Sequence, residues 1–183
     1  MHVPVHAPQS ASSPSKDHNQ FGDMPEWNLD DLYPGADSPA FKAGLKQAET
    51  DSEAFEARYK GKLADLAANG GLSGAIKEFE ALGDLEGRIG SFVYLNYVQN
   101  TADPDRAKLL GDIQDALTRL STKTLFFGLE LNRIDDAVLD KAIETEDGLA
   151  RYRTWFDDLR KAKPYQLEHR VADLFQHHSH TRP

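Results

Sequence analysis

Leu110, Ile113, Leu117, Leu120, Thr124, Phe127 and Leu131 follow one another at steps of three, four, three, four, three and four. An α-helix turns once every 3.6 residues, so these side chains fall along one stripe that has to be buried against a neighbour. A strand would scatter the same set over both of its faces. Asp103 stands where an N-cap belongs and Pro104 where a helix begins. Phe126 and Leu129 lie off the stripe, so the C-terminal half of this helix is expected to be buried on two sides.

The rest of the chain repeats the helical pattern. Ser38-Pro39 opens a helix whose apolar positions are Phe41, Leu45, Ala48, Phe55, Tyr59, Leu63 and Leu66, with Ser52 filling the one gap. The spacing predicts one long helix, stopped by Asn69-Gly70-Gly71. A second helix is expected from about Ser73 to about Asn100, with Ile76, Phe79, Leu82, Leu85, Ile89, Phe92, Val93 and Tyr97 on a broad apolar arc. Gly83, Gly87 and Gly90 share one side of it. Each costs about 1 kcal/mol relative to alanine in a helix interior, which points to close backbone approach by another element.

A shorter helix is read near Asp136 to Thr145, and another turns Tyr152, Trp155, Phe156 and Leu159 inward before Pro164. Leu167, Val171 and Leu174 give a last helical spacing. Before the first helix, Trp27, Leu29, Leu32 and Tyr33 are read as apolar anchors of a segment that ends in the Pro34-Gly35 turn. No stretch alternates with period two for long. The expected class is all-α, built from long antiparallel helical hairpins.

With 183 residues the chain is long enough for a real core. Residues 1–22 read as a disordered leader rich in Pro, Ser and polar residues, with no secretory signal pattern. A net charge of −9 disfavours nucleic acid and anionic lipid as partners, and no apolar run reaches the length of a membrane span. The absence of cysteine excludes disulfides and thiol chemistry and fits the cytoplasm.

Zinc peptidase chemistry on a helix needs His-Glu-x-x-His, in which two imidazoles one turn apart hold the metal and the glutamate polarises water. The histidines are His2, His6, His18, His169, His177, His178 and His180, and none is followed by glutamate. His169, Asp173 and His177 would share one face of a persisting helix, with His180 extending the row, and such a set can hold zinc or nickel. The competing reading is an exposed end with adventitious polar residues. No phosphate loop, dinucleotide fingerprint or nucleophile elbow is present. Asp30-Asp31, Asp135-Asp136 and Asp157-Asp158 read as caps and solvated faces. The sequence assigns no catalytic, cofactor-binding or metal residue.

Five stretches taken together carry a family resemblance: "PEWNLDDLYPG", "FEARYKGKL", "FEALGDLEGRIGSF", "DPDRAKLLGDIQDALTRLSTKTLFFGLELNRIDD" and "YRTWFDDLRKAKPYQLEHRV". In order and length they resemble the N-terminal region of oligoendopeptidase F, a family of thimet-oligopeptidase-like zinc peptidases. The likeness runs from about Pro25 to about Phe175. It implies a helical N-terminal lobe over 23–175 that walls a deep channel, and it implies oligopeptide hydrolysis for the whole family protein. The family's zinc motif lies far downstream, so no catalytic residue transfers to this chain.

From Gln176 onward "QHHSHTRP" departs from the family pattern. The expectation is therefore a truncated homologue, inactive alone, with residues 176–183 a divergent tail left by truncation or a shifted reading frame. Zinc would belong to the full-length protein, with none expected here. Oligopeptides or a missing C-terminal catalytic lobe are the expected partners, and helices shaped to cover such a lobe would expose apolar surface and self-associate. The alternative is a stand-alone helical module that binds peptides or a protein partner without catalysis.

Overall fold

The computed structural model describes residues 27–163, and every statement of structure concerns those residues. They form six α-helices and one 3₁₀ turn, with no strand. The helices are α1 (Pro39–Tyr59), α2 (Leu63–Asn69), α3 (Leu72–Gln99), α4 (Pro104–Arg133), α5 (Asp136–Thr145) and α6 (Arg153–Lys161), with the 3₁₀ turn at Ala150–Tyr152. The all-α expectation holds.

The helix starts follow from the residues that precede them. Ser38 Oγ accepts the Phe41 N–H at 3.2 Å. Asp103 accepts the N–H groups of Asp105 and Arg106 at 2.9 and 3.3 Å. Asp135 does the same for Ala137 and Val138 at 3.0 and 3.3 Å. Each cap satisfies donors that the first helical turn leaves open.

One boundary differs from the sequence reading. The first helix does not run unbroken to Asn69, because the chain turns at Gly61, where φ is +79°. That left-handed conformation suits glycine, and the Gly61 N–H donates to Glu130 on α4 at 2.8 Å instead of continuing the helix. The hydrophobic spacing passes through this turn undisturbed, since Leu63 and Leu66 serve α2 instead.

α1, α3 and α4 pack on one another as a three-helix bundle. Phe41 meets Phe92 while Arg58 pairs with Glu78, so α1 and α3 are antiparallel. Arg106 reaches the Asn96 carbonyl while Phe79 stacks on Phe127, so α3 and α4 are antiparallel as well.

The core has two parts. One joins Tyr33, Phe41, Ala48, Ile89, Phe92, Val93, Ile113 and Leu120. The other gathers the far end of the bundle with α2, α5 and α6, around Phe55, Leu63, Leu72, Phe127, Leu131, Leu149 and Phe156. Between them Ser52 is fully buried, donating to the Ala48 carbonyl at 2.7 Å and facing Glu86. Phe126 is buried beside Phe127, as the two-sided burial of this half of α4 required.

Ahead of α1, the segment from Asn28 to Pro34 makes a single turn. The N–H groups of Leu32 and Tyr33 donate to the Leu29 carbonyl. Tyr33 is the anchor: it is buried, meets Phe41 and Phe92 edge-on, and carries the Arg88 guanidinium 4.7 Å above its ring. Trp27 is not an anchor: its side chain is 61% exposed, and the hold on it from the described residues is the Gln99 side chain donating to its carbonyl.

The close glycine contact also falls elsewhere than expected. A Cβ at Gly83 or Gly87 would meet nothing within 4 Å, and one at Gly90 would touch Leu117 at an ordinary distance. At Gly44 it would meet Tyr33 Oη at 2.7 Å. Gly44 is the residue that lets the aromatic anchor sit flush on α1.

Candidate functional site

Among the described residues no neighbour packs on Gly83 and Gly87, both are exposed, and this side of α3 is open with respect to them. Glu80, Gly83, Gly87, Tyr94 and Val98 lie along it at helical spacing, with Tyr94 55% and Val98 37% exposed. At its N-terminal end the face becomes one wall of a cleft of about 520 Å³, lined by Ile76, Phe79, Glu80, Gly83, Asp84, Tyr152 and Trp155. That volume is within the range of small-molecule and side-chain pockets.

The opposite wall is built by a short local device. Gly148 adopts φ +84°, which reverses the chain after α5. Leu149 is then fully buried, and the Tyr152 N–H closes the 3₁₀ turn on its carbonyl at 2.9 Å. Phe156, one turn on, is almost wholly buried and anchors α6. The Trp155 ring rests 5.2 Å from it and 6.3 Å from the Tyr152 ring, and so faces the cleft from a fixed base.

Polar contacts tie the two walls together. The Tyr152 hydroxyl donates to Glu80, and Arg151 donates to Glu80 at 2.7 Å and to the Tyr152 oxygen. The Arg151 guanidinium also stands 4.5 Å from the Tyr152 ring centroid. Burial raises the Tyr152 pKa above the usual phenol value, and the Glu80 carboxylate that accepts its proton pushes the same way. Tyr152 is therefore a neutral donor here. Asp84 is exposed on the rim.

The arrangement can bind, through aromatic faces, two carboxylates and an uncovered stretch of backbone. Among the described residues its one hydroxyl in contact with a carboxylate is that of Tyr152 on Glu80, and no serine, threonine or lysine lines it. The His169, Asp173, His177 and His180 set lies outside the described residues, as do all the other histidines. Among the described residues no group of three or more His, Cys, Asp or Glu is placed to hold a metal ion. With no imidazole and no thiolate among them, the described residues do not fit a zinc ion.

The acidic pairs behave as caps and surface charges. Asp135 caps α5, Asp136 pairs with Lys163 at 2.9 Å, and Asp158 pairs with Lys161 at 2.6 Å. No helix among the described residues is long and apolar enough to cross a membrane. Sequence reading gave Gly83, Gly87 and Gly90 a covering neighbour, and among the described residues only Gly90 has one, Leu117 on α4. The signal it missed was Glu80 and Asp84 on the same side of the same helix.

The segment that builds the far wall also carries the likeness to known proteins. Residues 130–182 match the family model of oligopeptidase F. Over this stretch the chain resembles the N-terminal domain of oligopeptidase F. The oligopeptidase F match takes in the last turn of α4, then α5, the 3₁₀ turn and α6, and it continues past Gln176. It covers the C-terminal part of the likeness that the sequence motifs suggested from Pro25 to Phe175. No curated protein and no solved structure gives a significant match.

Proposed function

We propose that these helices are the N-terminal lobe of an oligopeptidase F-type zinc metallopeptidase, and that the lobe binds oligopeptides without cleaving them. The oligopeptidase F match at 130–182 carries this reading, because that segment supplies Tyr152 and Trp155 to the cleft on α3. An open helix face with exposed backbone and flanking aromatic rings suits an extended chain, which needs surface more than depth.

Hydrolysis would need an activated water, and the sequence holds no His-Glu-x-x-His to activate it. Zinc and the catalytic glutamate would come from a catalytic lobe, the second partner of this surface. The setting is the cytoplasm, which the lack of cysteine favours. The test is a peptidase assay on the purified chain with added zinc, with and without an oligopeptidase F catalytic lobe. No turnover is expected from the chain alone. Chelator-sensitive cleavage by the chain alone, with contaminating proteases excluded, would overturn the reading.

A further inference from the structure

We infer that the cleft between α3 and the Tyr152–Trp155 segment is selective for a cationic side chain, the guanidinium or ammonium of a basic residue in a bound oligopeptide. The inference rests on the peptide-binding reading and adds a specificity to it. Three features of the cleft support it.

The first is charge. Among the described residues the charged side chains lining the cleft are Glu80 and Asp84, and both are acidic. They stand one turn apart on α3; Glu80 holds Arg151, and Asp84 lies beside it on the same side of the helix. The second is the aromatic wall. Tyr152 and Trp155 present rings to the same space, and a cation over such a ring gains electrostatic attraction that a neutral group lacks.

The third is a contact already made within the molecule. Arg151 lies against this wall, with its guanidinium over the Tyr152 ring and its Nη2 on Glu80. The same ring and carboxylate types thus hold a guanidinium in the folded chain. Arg151 engages Glu80, whereas Asp84 has no such partner among the described residues, so a second cation would use Asp84 and Trp155. The groove between α1 and α4 makes the contrast: Lys46, Arg119 and Lys123 line it with Glu49 as the one acid, and it would repel the same ligand.

The cleft can be tested without a peptide. Trp155 is the reporter once Trp27, which is exposed, is replaced in a Trp27→Phe background. The probes are n-butylguanidinium, which copies an arginine side chain, and n-butylurea, its neutral isostere. Saturable change in Trp155 fluorescence is expected with the cation and about tenfold weaker with the urea, since a charge-assisted contact is lost. Asp84→Asn should abolish the difference, and Gly83→Leu, which fills the cleft from an open position, should block both. Equal binding of the two probes, or a cation response untouched by Asp84→Asn, would overturn the inference.

The same titration with acetyl-Ala-Ala-Arg-Ala-Ala-amide and its citrulline counterpart separates this inference from the broader reading. Tighter binding of the arginine peptide is expected. Equal binding of the two peptides would overturn the selectivity and leave the peptide-binding reading intact. Binding of the small cation with no peptide binding at all would overturn the peptide reading.

Discussion

Ser52 Oγ lies 3.4 Å from Glu86 Oε1, across the α1–α3 interface and between the two halves of the hydrophobic core. Burial raises the Glu86 pKa above the ordinary glutamate value, and the Ser52 contact only partly offsets it. A carboxyl group with a raised folded pKa contributes stability that is fully present below its unfolded pKa. That contribution is lost as pH rises through the folded value. Glu86→Gln removes the titration. Its stability relative to the unmodified chain should therefore improve from about pH 4 to about pH 8 in denaturant melts. A difference that stays flat over that range would show that Glu86 is solvated.

Phe127 is fully buried and stacks on Phe79 at 4.5 Å while meeting Phe55 edge-on at 5.2 Å. It joins all three long helices at one layer. Phe127→Ala leaves a cavity there and should cost about 3–5 kcal/mol in chemical unfolding. A loss of under about 1 kcal/mol would mean that the layer can collapse around the gap.

Glu146 accepts the N–H groups of Gly71, Leu72 and Ser73 at 3.1, 3.2 and 2.8 Å. Gly71 is the N-cap residue of α3 and has no side chain to do this, so the cap comes from beyond α5. A carboxylate also complements the positive end of the helix. Glu146→Ala should cost about 1–2 kcal/mol and speed amide exchange in the first turn of α3. Unchanged exchange there would contradict the capping role.

The glycines separate open from covered backbone. Gly83→Ala adds a methyl group to open space and should stabilise the chain by about 0.5–1 kcal/mol. Gly44→Ala drives the same methyl into Tyr33 Oη and should destabilise by about 1–3 kcal/mol. Thermal melts of the pair read both signs, and a destabilising Gly83→Ala would show that something covers the open face.

The helices were legible because their signals are local. Ser38-Pro39 and Asp103-Pro104 mark starts within a few residues, and the α4 stripe is visible at its own spacing. The turn at Gly61 was not, because it lies within a continuous hydrophobic pattern and depends on a contact with Glu130 from sixty-nine residues away. The cleft was half legible. Gly83 and Gly87 stood out for helix cost, but whether such positions are covered or open is a tertiary fact. Trp27 shows the same limit from the other side, since an aromatic residue announces burial that the fold need not provide.

The peptide-binding claim meets its most direct test in fluorescence anisotropy of a labelled arginine-containing oligopeptide titrated with the chain, run beside Gly83→Leu. A saturable rise that Gly83→Leu abolishes, with the peptide recovered uncut, is the expected result. No saturable rise, or a rise that Gly83→Leu leaves unchanged, would contradict the claim that the open face of α3 and its Tyr152–Trp155 wall form the binding site.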